Sequence, residues 1–166
     1  MRKKNSKKLT INSKIFLAGH KGLVGSAILK KLKERGYKQI ILKDRKQLNL
    51  EDQFKTYSFL KNLKPDAVIV AAAKVGGIFA NSTNGAEFIN SNLIIQSNII
   101  HGSYIAGVKN LIFLDSSCIY PKFCKQPMKE DNILSDKQET THEPYAVAKI
   151  ADLKLCENYS KQYNLN

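Results

Sequence analysis

The feature that most constrains the fold is a glycine-rich turn between the first apolar run and the first helical segment. The run KIFLAG (residues 14–19) contains strand-forming residues, and GHKGLVG begins at its end, with Gly19, Gly22 and Gly25 at three-residue intervals. The segment LVGSAILKKLKERG follows, with apolar residues at helical spacing. This context favours a dinucleotide site, because amides at a helix N-terminus can bind a pyrophosphate. The alternative is a turn with only a structural role.

The rest of the chain repeats the alternation of strand and helix. Further strands are predicted at residues 39–42, 67–73 and 110–114. Helices are predicted at residues 23–36, 49–65, 87–105 and 143–163. The strands are apolar throughout rather than alternating, which is typical of a parallel sheet covered by helices on both faces. We therefore predict an α/β fold with a doubly wound parallel sheet, that is, a Rossmann-like domain.

Three finer expectations accompany this pattern. The segment LNL (48–50) is a candidate for a short edge strand, and the Gly/Asn/Ser-rich segment 74–85 is predicted to be a loop. In the helix predicted at 87–105, helical periodicity places five apolar residues on the inward face. These residues are Phe88, Leu93, Ile95, Ile99 and Ile100.

The end of the chain also bears on the fold. Only four or five strands precede the last helix, and the sequence stops shortly after it. In a doubly wound sheet, further chain usually closes the ligand crevice at the strand C-termini. We therefore expect a dinucleotide-binding domain over residues 14–166 that is truncated at its C-terminus and lacks a substrate domain.

The charge of the chain is strongly positive and unevenly distributed. The formal net charge is +13, and six of the 27 Lys and Arg residues lie within the first 14 positions. Residues 1–13 are therefore predicted to be a basic, disordered tail. The remaining positive charge favours polyanions, either nucleic acid or a phosphate-rich cofactor and substrate. Since no basic strand carries interleaved aromatics, nucleic acid is not expected to be the partner.

Cysteine, histidine and hydropathy patterns exclude other classes. Three cysteines and three histidines occur at no metal-ligand spacing, so no metal site is predicted, and reduced thiols in a cytoplasm are expected. No apolar run is long enough to span a bilayer, and no apolar segment of a secretory signal follows the basic N-terminus. We expect neither a membrane partner nor secretion.

The segment LKDRKQLNL lies where a dinucleotide-binding fold contacts the ribose of its cofactor. Asp44 could accept a hydrogen bond from a ribose 2′-hydroxyl, which would indicate NAD. Arg45 and Lys43 could instead bind a 2′-phosphate, which would indicate NADP. The residue chemistry leaves both cofactors open.

Two further segments carry candidate catalytic groups. In EPYAVAKIA, Tyr145 and Lys149 are four apart at the start of a helix and share a face. A nearby ammonium is expected to lower the pKa of the phenol and make it a general acid or base. The strand NLIFL is followed by Ser116, Ser117 and Cys118, which a parallel sheet places at its ligand edge.

Taken together, these motifs resemble the GDP-L-fucose synthases, which are extended short-chain dehydrogenase/reductases. The segments that carry the resemblance run from about Lys14 to the last residue: GHKGLVGSAI, LNL, AAAKVGGI, NLIIQSNIIH, SSCIYPK, KQPM and EPYAVAKIA. The resemblance implies an NADPH-dependent enzyme that epimerises a GDP-linked 4-keto sugar at C3 and C5 and reduces it at C4. It also implies a cytoplasmic homodimer when the chain is of full length.

The resemblance assigns a role to each candidate residue. Tyr145 is expected to donate a proton to the C4 oxygen, Lys149 to hold the nicotinamide ribose, and Ser116 to bind the carbonyl. Cys118 is expected to transfer a proton in the epimerisation, because a thiol titrates closer to neutrality than a hydroxyl does. The expected cofactor contacts are Gly19, His20, Lys21, Gly22, Leu23, Val24, Gly25, Arg45, Leu114, Ser117 and Lys149.

The resemblance favours NADP as the cofactor, with a reservation. Arg45 matches a phosphate-binding arginine, whereas the negative Asp44 stands where an uncharged residue is expected. A full family member is longer, and its C-terminal half carries the second epimerisation residue and most of the sugar pocket. The chain alone is therefore expected to bind dinucleotide weakly and to turn over little.

Two alternatives stay open from the sequence. One is an NAD-dependent sugar-nucleotide 4-epimerase or dehydratase, which Asp44 favours and SSCIYPK disfavours. The other is a nucleotide-binding module without catalysis.

Overall fold

The computed structural model describes residues 8–163 and residue 165. Four strands form one sheet in the order β2-β1-β3-β4, and every neighbouring pair is parallel. The strands are β1 (Lys14–Ala18), β2 (Gln39–Lys43), β3 (Ala67–Val70) and β4 (Asn110–Phe113). The predicted doubly wound parallel sheet is confirmed.

Five helices connect and cover these strands. They are α1 (Leu23–Glu34), α2 (Gln53–Leu63), α3 (Ile78–Thr83), α4 (Gly85–Ile105) and α5 (Glu143–Tyr163). Single 3-10 turns follow β4 at Ser117–Ile119 and precede α5 at Glu130–Asn132. The α2 helix begins at a side-chain cap, where the carboxylate of Asp52 accepts from the amide of Lys55 at 2.9 Å.

Both faces of the sheet are buried, as the apolar strands predicted. Ile15 and Leu17 of β1 pack on the side covered by α1, and Phe16 and Ala18 pack on the side covered by α2 and α4. Each of these four side chains is at most 1% exposed. The register aligns the strand ends, since Ala18 is paired with both Lys43 and Val70. The carboxyl ends of the strands therefore meet at one edge.

Three local predictions are wrong. Residues 48–50 form no strand. The chain makes a turn there, in which the amides of Gln47 and Leu48 donate to the carbonyl of Asp44. The predicted loop 74–85 contains α3, a helix of 6 residues that is too short to produce a periodic signal. Leu93 was expected to face inward but is 37% exposed, whereas Asn92 beside it is 3% exposed.

The predicted tail of residues 1–13 is only partly described. Residues 1–7 lie outside the described part of the chain. From Thr10 onward the chain is folded: Ser13 closes a turn on Thr10, and the carbonyl of Ile11 accepts from the amide of Lys38 at 2.9 Å. Leu9 also packs against the core of the sheet, so the described end of the predicted tail contacts the domain.

Candidate dinucleotide-binding and catalytic site

A cleft opens at the carboxyl edge of the sheet, where β1 lies between β2 and β3. Its volume is about 720 Å³. Loops after all four strands and the start of α5 form its wall. The connection after β1 leads to β2 on one side of it, and the connection after β2 leads to β3 on its other side. The cleft therefore lies at the topological switch point, where ligands bind in open α/β sheets.

The glycine turn forms one end of this cleft. At two of its positions the backbone of other residues is so close that only glycine fits. A Cβ atom on Gly25 would lie 2.1 Å from the carbonyl oxygen of Gly19. A Cβ atom on Gly19, which has a φ of +83°, would lie 2.5 Å from the carbonyl carbon of Ala71. Gly22 differs, since its nearest contact would be 3.5 Å away. It precedes α1 and is exposed, which leaves the helix N-terminus open to an anion.

Most predicted cofactor contacts line the cleft. Those that do are Gly19, His20, Lys21, Gly22, Leu23, Val24, Arg45 and Leu114, together with the catalytic candidate Tyr145. The others lie outside the lining: Gly25, Ser116, Ser117, Cys118 and Lys149. The Nδ1 atom of His20 is buried and has no hydrogen-bond partner in the described part of the chain. A ligand in the cleft could supply that partner.

The charged residues after β2 form two ion pairs at the mouth of the cleft. Lys21 lies 2.8 Å from the carboxylate of Asp44, and its hydrogen bond holds the pKa of Asp44 below its usual value. Arg45 lies 3.1 Å from the carboxylate of Glu51. The negative charge of Asp44 is therefore offset by a cation of the glycine turn, which sequence spacing did not reveal.

Two buried amides of α4 hold the loops of the cleft, and sequence reasoning missed both. Asn98 donates to the carbonyl of Leu50 at 2.9 Å and to that of Glu51 at 3.2 Å. Asn92 accepts from the amide of Lys74 at 2.8 Å and donates to its carbonyl at 2.9 Å. The available signal was the occurrence of polar residues within the apolar helix segment NLIIQSNIIH.

The catalytic candidates converge at the other end of the cleft. The hydroxyl of Ser116 lies near the thiol of Cys118 and the phenol of Tyr145, where it tends to lower the pKa of each, and it accepts a hydrogen bond from the amide of Cys118 at 3.4 Å. Burial raises the pKa of Cys118, and the negative charge of Asp115 adds to the increase. At neutral pH the thiol is therefore protonated. Ser117 is exposed on the 3-10 turn.

The expected lowering of the Tyr145 pKa is wrong for this structure. Burial raises the pKa of Tyr145 to about 12, and the charges of Cys118, Asp115 and Asp152 add to the increase. The ammonium of Lys149 has other partners: it pairs with Asp152 and donates to the carbonyl of Leu114 at 2.7 Å. The carboxylate beside the ammonium offsets the field that the phenol would otherwise receive.

The remaining cysteines take no part in this group. Both Cys124 and Cys156 are free thiols, as is Cys118. Burial raises the pKa of Cys156 to about 12, which makes it inert at neutral pH. Within the described residues, no cluster of three His, Cys, Asp or Glu could hold a metal ion. None of the helices described here has the length and apolar character needed to cross a membrane.

The chain is similar to curated proteins over most of its length. The chain is 51% identical over 150 residues to the GDP-L-fucose synthase of Escherichia coli (strain K12), covering 90% of this chain and 47% of the relative. It is 53% identical over 152 residues to GDP-L-fucose synthase 1 of Arabidopsis thaliana, covering 92% and 47%. The chain thus spans about half the length of the curated relatives that it matches.

A solved structure and a family profile extend the comparison. The GDP-mannoheptose C4 reductase MlghC from Campylobacter jejuni, with NADP bound, superposes with a TM-score of 0.92 at 39% identity, covering 96% of this chain and 50% of that one. The profile of the NAD dependent epimerase/dehydratase family matches residues 15–166. With its parallel sheet, glycine turn and Ser-Tyr-Lys group, the chain belongs to the NAD dependent epimerase/dehydratase family.

Proposed function

We propose that this chain is the cofactor-binding part of a GDP-L-fucose synthase. Such an enzyme converts GDP-4-dehydro-6-deoxy-D-mannose to GDP-L-fucose by 3,5-epimerisation and NADPH-dependent 4-reduction. The observation that carries the proposal is the convergence of Ser116, Cys118 and Tyr145 beside the cleft. A relative with this name matches 92% of this chain at 53% identity. The sugar-binding half is assigned to the part of the relatives that this chain does not match.

The residues of the cleft fit a dinucleotide. Close packing at Gly19 and Gly25 leaves no room for side chains on the floor of the turn, so a pyrophosphate can approach the N-terminus of α1. Leu48 and Leu50 line the same cleft and offer an apolar wall. The fit supports a dinucleotide as the resident cofactor.

We infer NADP rather than NAD from the charges at the mouth of the cleft. Arg45 and Lys21 are each 71% exposed at the side chain and can turn toward a 2′-phosphate. Asp44 would oppose that phosphate, but Lys21 offsets its charge. This removes the main argument for an NAD-dependent 4-epimerase or dehydratase, which depended on Asp44 alone. The NADP bound to MlghC, a similar chain, supports the same choice.

In the reduction, this chain supplies the proton. Bound NADPH would supply hydride to the C4 ketone carbon. With a pKa of about 12, the phenol of Tyr145 is protonated at neutral pH and can donate to the oxygen that becomes the hydroxyl. Ser116, which lies near the phenol, can bind the same oxygen.

In the epimerisation, Cys118 is suited to be the proton donor. Burial raises the pKa of its thiol, so the thiol is protonated and can deliver a proton to the carbon of an enolate beside the ketone. The opposite step, removal of the sugar proton, requires a base that the proposal assigns to the C-terminal half of the relatives.

Tyr145→Phe, in a protein of the relatives' full length, tests the reductase role. We expect hydride transfer to fall by about a hundredfold or more while NADPH still binds, because only the proton donor is lost. Stopped-flow NADPH oxidation and a fluorescence titration of NADPH measure the two effects. Unchanged oxidation in this variant would contradict the role, and cofactor binding without turnover in the unaltered protein would favour the non-catalytic module.

Cys118→Ser tests the epimerase role in the same protein. We expect solvent deuterium exchange at C3 and C5 of the sugar to slow more than the reduction does. Exchange at the unaltered rate would reject the assignment of Cys118.

We also propose a cytoplasmic homodimer that forms through α4 and α5. Tyr104, Tyr159 and Tyr163 pack against one another in edge-on and tilted contacts between these helices, with ring centroids of Tyr104 and Tyr163 4.1 Å apart. Tyr104 and Tyr163 are nevertheless 37% exposed, as is Leu93 of α4. A twofold contact would bury this apolar face. Light scattering on the full-length protein and on a Tyr163→Lys variant tests it, and an unaltered protein that is monomeric would reject it.

A further inference from the structure

Arg45, the residue expected to bind a 2′-phosphate, already has an anionic partner within the chain. Its guanidinium donates to the carboxylate of Glu51 at 3.1 Å. Both residues line the cleft. The side chain of Glu51 is 26% exposed, whereas that of Arg45 is 71% exposed. The pair therefore joins a partly enclosed carboxylate to an arginine side chain that lies largely in solvent.

The backbone of Glu51 is held by two asparagine side chains. Asn98 of α4, which is 3% exposed, donates to the carbonyl of Glu51 at 3.2 Å and to that of Leu50 at 2.9 Å. The amide of Glu51 donates to the side-chain oxygen of Asn49 at 3.2 Å. Because both backbone polar groups of Glu51 have partners, the fold fixes the point from which its carboxylate reaches Arg45.

We propose that Glu51 is a specificity-determining residue, whose carboxylate competes with the 2′-phosphate of NADP for Arg45. Asn98 is the positioning residue that holds Glu51 for this competition. A 2′-phosphate at Arg45 comes close to the carboxylate, so it either displaces Glu51 from the guanidinium or binds against like-charge repulsion. NAD carries a hydroxyl at that position and meets neither cost. Glu51 thus limits the preference for NADP, and this inference rests on the NADP-dependent function proposed above.

The other charges of the cleft leave this competition uncompensated. Besides Asp115 at the catalytic end, the acids that line the cleft are Asp44 and Glu51. Asp44 pairs with Lys21 at 2.8 Å, as Glu51 does with Arg45. With both pairs formed, these four side chains contribute no net charge. Removal of the Glu51 carboxylate would leave a net positive charge where the 2′-phosphate is expected.

The direct test is Glu51→Gln in a protein of the relatives' full length, because the amide keeps the size of the side chain but removes its charge. We expect the dissociation constant of NADP to fall about three- to tenfold and that of NAD to stay within about twofold, since only NADP has a 2′-phosphate. Calorimetric titration with each cofactor measures both constants. An unchanged ratio of the two, or weaker binding of NADP, would overturn the proposal.

Glu34→Gln is the matched control, because it removes the same charge from another exposed ion pair. Glu34 lies 3.2 Å from Lys31 on α1, and neither residue lines the cleft. The ratio of the two dissociation constants should therefore stay unchanged. A rise equal to that in Glu51→Gln would show an effect of net charge alone and would overturn the role of Glu51.

The positioning role of Asn98 is tested by combining variants. Asn98→Ala removes both hydrogen bonds to residues 50 and 51, so in this background Glu51→Gln should change the ratio less than about twofold. In the background of Gln96→Ala, which removes a buried amide of α4 bonded to Ala148 instead, the full change should remain. A purely structural role of Asn98 would lower stability but leave the effect of Glu51→Gln at full size.

A measurement on the unaltered protein covers the case in which Asn98→Ala does not fold. The side-chain amide protons of Asn98 are expected to exchange slowly with water, because both are bound to carbonyls of the segment that carries Glu51. NMR contacts to residues 50 and 51 identify these protons. Exchange as fast as that of exposed asparagines would overturn the positioning role.

Fragments of the cofactor separate this inference from the proposed function. Adenosine 2′,5′-bisphosphate and adenosine 5′-phosphate carry no nicotinamide, so their binding does not depend on hydride transfer. Glu51→Gln should raise the preference for the bisphosphate by about the factor found for NADP. This rise without NADPH oxidation would reject the function alone, and oxidation without the rise would reject the inference alone. An unaltered protein that binds neither fragment and neither cofactor would overturn both.

Discussion

The two ends of the cleft differ in how the chain builds them. The glycine end is a backbone structure, in which Gly25 lies directly against Gly19 and a single added carbon would be 2.1 Å from a carbonyl oxygen. The catalytic end is made of side chains, and its central ammonium takes one partner from the same helix and one from a carbonyl 35 positions away in the chain. The contact between Gly25 and Gly19 depends on local sequence, whereas the contact of Gly19 with Ala71 and the whole catalytic end depend on tertiary packing.

The difference extends to electrostatics. At the glycine end the charged pairs are largely exposed, and water screens them. At the catalytic end Lys149 and Asp152 are buried, so each charge strongly affects the pKa of its neighbours. Substitutions at the glycine end should therefore act mainly through sterics, and substitutions at the catalytic end through titration.

Gly25→Ala should give the largest effect. The neighbouring atoms are backbone and cannot turn aside, so we expect the free energy of unfolding to fall by about 3 kcal/mol or more. Gly22→Ala is the control, because its nearest contact is 3.5 Å and the expected loss is below about 1 kcal/mol. Urea unfolding of both variants measures the difference. Equal losses in the free energy of unfolding would show that close packing does not require glycine at position 25.

Gln96→Ala should have the next largest effect, by loosening the support of the catalytic end. Gln96 is 1% exposed and donates from α4 to the carbonyl of Ala148 in α5 at 2.9 Å. Loss of the bond and of the filled volume should cost about 2 kcal/mol. In the exposed control, Gln53→Ala, the loss should stay within about 0.5 kcal/mol. The same urea experiment compares them, and a loss no larger than in the control would contradict the α4–α5 contact.

Asp152 should give a pH dependence opposite in sign to that of Asp44 at the glycine end, whose pKa is lowered. Its pKa of about 7 in the folded chain is above the ordinary 3.8, so the folded state binds the proton more tightly than the unfolded state does. Stability should therefore decrease as pH rises from about 4 through 7, by at most about 1.4 kcal/mol per pH unit. Asp152→Asn should remove that slope. Unfolding at several pH values checks it, and parallel slopes in the two chains would contradict the raised pKa.

Lys21→Gln should produce the smallest change. Its pair with Asp44 is exposed, so stability should shift by less than about 0.5 kcal/mol. Under the proposed function, however, the unscreened Asp44 should weaken NADP binding relative to NAD by about two- to fivefold. Lys31→Gln, which breaks an exposed pair with Glu34 on α1, is the control and should leave the ratio unchanged. Calorimetric titration with both cofactors measures it, and an unaltered ratio in Lys21→Gln would contradict the screening.

The long helix α4 shows where sequence periodicity succeeds and fails. Phe88, Ile99 and Ile100 are buried as predicted, and Ile99 packs in the core cluster beside the sheet. Leu93 is exposed, while Asn92 and Gln96 are buried, since their amides bond to loops and to α5. Periodicity ranks residues by hydropathy, and it cannot tell that a polar side chain has a partner 52 residues away.

The sequence by itself determined the parallel sheet, the glycine turn and the shared face of Tyr145 and Lys149. Each of these follows from local spacing, since strand runs, close backbone approach and helical geometry involve residues near one another in the chain. Only the tertiary structure decided the charge states around the cleft. The Lys21–Asp44 and Lys149–Asp152 pairs, and the raised pKa of Tyr145, depend on burial and on neighbours that the fold brings together.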